Sequence, residues 1–171
     1  KGSRYALKLV VEIIDKLTGC REGDHSVDYD LGDHIDALIN MVRISRTPVE
    51  LEQALLLGYG IMSGGDLYMD VYGPQLFAAS CTAKDLSEFE ANIKAFIGFI
   101  EKRNHLPLTN YFGETEMCYT VLPKLQNKGP AEFRAALDAV YGYIETLNTA
   151  GMTISPRLET GLLTAVMAGN S

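Results

Sequence analysis

Apolar residues in this chain return every three or four positions, in segments cut by glycine and proline, and no stretch sustains two-residue alternation. That period belongs to helices with one covered face, because half-buried strands need side chains of alternating character. The fold expected is all-α, with seven to eight helices in antiparallel hairpins, either α-solenoid-like or an irregular helical bundle. The 171 residues, 47% of them hydrophobic, suffice for one self-contained core, so a single domain over 1–171 is expected.

The stripes can be placed one by one. Leu7, Val10, Val11, Ile14 and Leu17 form the first, with Ser3 as a candidate cap and Gly19 as a stop. After a polar stretch, Ile35, Leu38, Ile39 and Val42 form a second, with Asp33 at its start. Thr47, Pro48 and Glu50 combine a capping hydroxyl, a proline at the first helical position and a glutamate that can bond back. Behind them Leu51, Leu55, Tyr59 and Met62 give a third face, and a short helix starts near Gly73 and Pro74. Residues 86–104 carry Phe89, Ile93, Phe96, Ile97 and Ile100 on one side and end before Pro107. A helix over 112–126 turns Cys118, Leu122 and Leu125 inward, and Gly129 and Pro130 start another with Phe133, Leu137, Val140, Tyr141, Ile144 and Leu147. The last opens at Ser155 and Pro156.

Charge and cysteine usage narrow the function classes. No apolar run approaches the roughly 18 residues that cross a bilayer, so no membrane partner is expected. A net charge of -7 repels a phosphate backbone on average, so no DNA partner is expected. Three widely spaced cysteines, Cys20, Cys81 and Cys118, fit neither a zinc site nor a disulfide framework and point to an intracellular setting, cytoplasm or organelle matrix. No targeting segment is visible, and the absence of an initiating methionine fits a start inside a longer chain or after a tag.

Laid against itself at an offset of 44, the chain matches AFIGFIEKRN at 95–104 with AVYGYIETLN at 139–148 in five of ten positions. The frame pairs Phe89 with Phe133 and Ile93 with Leu137, and Leu51, Leu55 and Tyr59 extend it to an earlier unit. Gly60, Gly98 and Gly142 then coincide, which predicts close helix approach there. Degenerate hairpin units over 49–82, 86–127 and 130–168 are expected.

The stretch NTAGMTISPRLETGLLTAVMAGN at 148–170, through Gly151, Pro156, Thr160, Leu162, Leu163 and Ala165, resembles the junction between pentatricopeptide repeats. Four residues separate Gly151 from Pro156 where that family usually has two. The resemblance implies stacked helical hairpins that bind single-stranded RNA in organelles or serve as protein scaffolds, and it carries over no base-reading residue to this sequence.

Chemistry-bearing clusters are few. His25, Asp28, Asp33, His34 and Asp36, beside Asp24 and Asp30, offer oxygen and imidazole ligands to a divalent metal, as a metal-dependent helical hydrolase would need. Their spacing matches no EF-hand, since Asp33 and Ile39 occupy the places of its glycine and glutamate. A solvated loop whose aspartates cap the next helix is the simpler reading. Cys81 and Cys118 read as inert core thiols, and His105 as a helix-end residue. Tyr68, Tyr72, Tyr111 and Phe112, near turns, are candidates for a partner-binding or base-stacking surface. The leading expectation is a scaffold or adaptor without catalytic activity or cofactors, whose partner is another protein or further repeats of the same chain. A pentatricopeptide-like RNA binder is the alternative and the metal-dependent hydrolase the second.

Overall fold

A computed structural model of the chain describes residues 2–19, 31–59, 69–106 and 117–151. They form six α-helices: α1 (Gly2–Gly19), α2 (Leu31–Ile44), α3 (Pro48–Tyr59), α4 (Met69–Thr82), α5 (Leu86–Asn104) and α6 (Pro130–Thr149). Between α5 and α6 a π-helical turn, Met117–Val121, runs into a 3₁₀ turn, Leu122–Leu125. The described residues contain no strand, in keeping with the all-α class expected from the periodicity.

The helix starts follow from their caps. At α3 the Glu50 amide donates to Thr47 Oγ1 at 3.2 Å, and the Glu50 carboxylate accepts the Arg46 amide at 2.6 Å. At α5 the same device recurs, with the Glu88 amide on Asp85 Oδ1 at 2.9 Å and the Glu88 carboxylate on the Lys84 amide at 2.9 Å. Each start satisfies two amides that would otherwise have no partner in the helix. At α6 Gly129, at φ 92, takes the cap position ahead of Pro130. The first helical hydrogen bonds run from Leu51 to Thr47, Phe89 to Asp85 and Phe133 to Gly129. Leu51, Phe89 and Phe133 thus each stand four residues past a cap, in one register.

Three neighbouring pairs, α1 with α3, α2 with α4 and α5 with α6, run side by side in the same direction. Gly2, at the start of α1, faces Pro48 and Val49 at the start of α3. The His34 ring of α2 lies against Gly73 of α4, and nine residues on, Arg43 reaches the carbonyls of Ser80 and Ala83. Phe96 of α5 meets Phe133 of α6, and further along Lys102 lies 3.8 Å from Asp138 and over the Tyr141 ring. The helices therefore fall into two rows, α1, α3, α5 and α6 in one and α2, α4 and the 117–125 turns in the other, with α2 also touching α3, and α4 touching α5. Between the rows are the buried Met41, Leu55, Leu76, Phe89, Phe96, Leu122, Phe133 and Leu137. Each large apolar side chain removed from water contributes on the order of 1.5–3 kcal/mol.

Several local expectations change. Ser3 lies inside α1, and α2 starts at Leu31, ahead of Asp33. Helix α4 begins at Met69, so Gly73 and Pro74 are inside it. Residues 117–125 are not one α-helix, because Pro123 has no amide to bond four residues back and the chain tightens into 3₁₀ there. Cys118, Leu122 and Leu125 are buried as expected. In α5 the buried face holds Asn92 and Phe99, while Ile97 is exposed.

The glycine expectation also fails where it can be examined. A Cβ at Gly98 or Gly142 would meet nothing within 4 Å, and Gly60 lies outside the described residues. Close approach occurs instead at Gly58, where a Cβ would come within 2.8 Å of Met41 Cε, 3.2 Å of Leu76 Cδ2 and 3.6 Å of Phe89 Cζ. Gly98→Ala and Gly142→Ala are each expected to stabilise the fold by about 0.5–1 kcal/mol through helix propensity alone. Gly58→Val is expected to destabilise it by about 2 kcal/mol through overpacking. Urea denaturation midpoints measured at constant slope check both signs.

Candidate interaction surface

Helices α1 and α2 each carry two apolar faces, and only one of each is covered. In α1 the buried face consists of Ala6 and Ile13 with Leu9 and Val10 packed beside them, while Tyr5, Leu7, Val11 and Ile14 are exposed. In α2 His34, Ala37, Leu38, Met41 and Ile44 are buried, while Ile35, Ile39 and Val42 are exposed by 46%, 60% and 57%. At 100° per residue each exposed stripe lies about a third of a turn round from the buried one. Both stripes have the same spacing, first, fifth and eighth position: Leu7, Val11, Ile14 and Ile35, Ile39, Val42.

The residues whose periodicity pointed to a core face in α1 and α2 are thus largely at the surface. Leu38 and Val10 face inward as expected, whereas Leu7, Val11, Ile14, Ile35, Ile39 and Val42 do not. The cause is the second stripe. His34, Ala37, Met41 and Ile44 also recur at helical spacing, and small or amphipathic members made them the weaker pattern in sequence. Apolar residues around more than half of a helix exceed the single stripe that a helix with one buried face carries. In α5 and α6, by contrast, the outward positions carry Lys94, Glu101, Lys102, Glu132, Arg134, Asp138 and Glu145.

The buried side of α2 is fastened by polar groups. Arg43 Nη2 donates to the carbonyls of Ser80 at 2.8 Å, on the last turn of α4, and Ala83 at 3.1 Å, just past its end. Asn92 Nδ2 from α5 donates to Ala79 O at 3.1 Å and Thr82 Oγ1 at 3.0 Å. His34 Nδ1 lies 3.1 Å from the Tyr59 hydroxyl, with the rings tilted by 37°. Neither Arg43 nor Asn92 stood out in the sequence, because each is a single polar residue whose partners, backbone carbonyls and the Thr82 hydroxyl, lie ten or more residues away.

Of the metal-ligand candidates, His25 and Asp28 lie outside the described residues, and the Asp33 side chain is not described. His34 is enclosed between Tyr59 and Gly73, whereas Asp36, two positions and about 200° on, is exposed. These two do not share a site. Among the described residues no three His, Cys, Asp or Glu side chains are gathered to hold a metal ion. Tyr68, Tyr111 and Phe112 lie outside the described residues, and of Tyr72 only the backbone, in α4, is described. Beyond Gly151, the stretch carrying the pentatricopeptide resemblance also lies outside them.

Cys118 is fully buried, and burial pushes the Cys81 thiol up to about 11, an effect the Arg43 charge partly opposes. Cys81 therefore stays a thiol near neutrality and is a poor nucleophile. His105 is the C-cap of α5, its backbone amide on the Lys102 carbonyl at 3.2 Å. Among the described residues no helix is long and apolar enough to cross a membrane. Compared with known proteins, the chain matches no family model, no curated protein and no solved structure.

Two expectations separate the faces. Ile39→Ser should change stability by less than about 0.5 kcal/mol, while Met41→Ala, at a fully buried position two residues away, should cost about 3 kcal/mol, as read by chemical denaturation in dilute solution. Burial raises the Tyr59 phenol well above its ordinary value of 10.0. A group raised on folding contributes stability that is whole below the unfolded value and lost above it, so this contribution declines as pH rises past about 10. Tyr59→Phe should cost about 1 kcal/mol at neutral pH and flatten that alkaline decline, measured by denaturation across the pH range.

Proposed function

We propose that this chain is an α-solenoid-like array that binds other proteins through exposed apolar helix faces. The exposed stripe Ile35, Ile39 and Val42 on α2 carries the reading. Aliphatic anchors at the first, fifth and eighth positions are how one helix engages a groove or a second helix. The two rows of helices running in common directions support the array, because stacked hairpins leave such faces at the first helix of each row. In this reading the hairpin units of the sequence comparison are the stacked elements, and the module acts by presenting a surface. The RNA-binding alternative rests on residues 148–170 alone and runs against the net charge of -7.

The test is capture from extract with three baits: the natural chain, Ile39→Glu, and Ser87→Glu as a control at another exposed position. The first and third should retain a protein that the second loses by tenfold or more. Equal capture by all three baits would remove α2 as the binding face and this reading with it.

A further inference from the structure

Helix α1 carries, beside its exposed apolar stripe, a ridge of charge with an order of its own. Arg4, Lys8, Glu12 and Asp15 follow one another at spacings of four, four and three, so they share one side of the helix next to Leu7, Val11 and Ile14. The ridge reads basic, basic, acidic, acidic. Such an order is complementary to itself when reversed. Two α1 helices laid antiparallel would bring Arg4 and Lys8 of each against Asp15 and Glu12 of the other while the two apolar stripes meet between them.

We propose that the occupant of this face is a second copy of the same chain, docked α1 on α1 about a two-fold axis. The inference rests on the reading of the protein as an interaction module and names one partner and one surface for it. A two-fold interface uses the same patch on both subunits, so each charge pair is made twice and no other surface is required. Antiparallel crossing also sets the positive start of each helix dipole near the negative end of the other. Within one chain Lys8 lies 3.6 Å from Glu12, with both side chains more than half exposed. An exposed pair of that kind holds its partners weakly and leaves them available to exchange across a dimer. The contact is small, which places the association among weak interfaces with dissociation constants of micromolar order.

Sedimentation equilibrium of the purified chain should show a monomer–dimer equilibrium that weakens as salt rises. Two double variants decide whether the ridge is responsible: Arg4→Glu with Lys8→Glu makes it wholly acidic, and Glu12→Lys with Asp15→Lys makes it wholly basic. Each alone should dissociate at least tenfold more readily than the natural chain, and an equimolar mixture should associate again. Circular dichroism confirms that each variant is folded. A natural chain that stays monomeric up to about millimolar concentration would overturn the proposal. So would a mixture that associates no better than its components. A monomeric chain whose capture of another protein still depends on Ile39 would overturn self-docking alone and leave the interaction module standing.

Discussion

The arrangement depends on how the last turn of α4 disposes of its carbonyl groups. A helix end leaves four carbonyls without partners in the helix, and burying them unsatisfied costs on the order of 1–3 kcal/mol each. In this protein Ala79 and Ser80 are buried at that end, so water cannot serve them freely. Beside the Thr82 hydroxyl of α4 itself on Ala79, donors come from two other helices, Arg43 of α2 on Ser80 and Ala83, and Asn92 of α5 on Ala79. One buried terminus thereby fixes where α2 and α5 stand relative to α4. Arginine suits the task because its planar group reaches several carbonyls at once and stays charged beside the negative end of the dipole.

That junction works only because α4 is narrow. Ala78, Ala79, Ser80 and Ala83 leave room for α2 to lie close along it, and Gly73 admits the His34 ring at a distance that a methyl group would contest. Gly58 plays the corresponding part in α3, where the position that holds Phe96 in α5 and Val140 in α6 is left empty for Met41, Leu76 and Phe89. The space given up by one helix is filled by side chains of three others. Packing at interior density makes such exchanges obligatory, since voids and overlaps both cost free energy.

Helix class and most helix positions were legible because they rest on local rules. Thr47 with Glu50, Gly129 with Pro130, and the stripe Phe89, Ile93, Phe96 are each settled by atoms within a few residues. Which face turned inward was not legible in α1 and α2. There two stripes competed, and the choice was made by distant partners, the small residues of α4 and the first turn of α3. The glycines misled for the same reason: Gly98 and Gly142 looked like sites of contact, yet whether a glycine faces a neighbour is a property of the neighbour. The candidate surface was visible in the sequence as residues and hidden as a site, because Ile35, Ile39 and Val42 were read as core.

Exposed aliphatic side chains are ordinary one at a time, and their meaning lies in their order. Leu7, Val11 and Ile14 repeat the spacing of Ile35, Ile39 and Val42, and both triplets stand on the first helix of a row. In α5 and α6 most outward positions carry lysine, arginine, aspartate or glutamate, although Ile97 and Tyr143 are exposed there, and α3 exposes Val49 and Leu56 with Gln53 between them. Each helix is held by its other face, while the six stripe residues are 41–64% exposed. A polar residue at any of the six positions would leave the core intact and reduce the apolar surface open to solvent. In the reading proposed above, six aliphatic residues at contact spacing on two helices, with the charges of α1 ordered beside them, are the faces that the module presents to its partners.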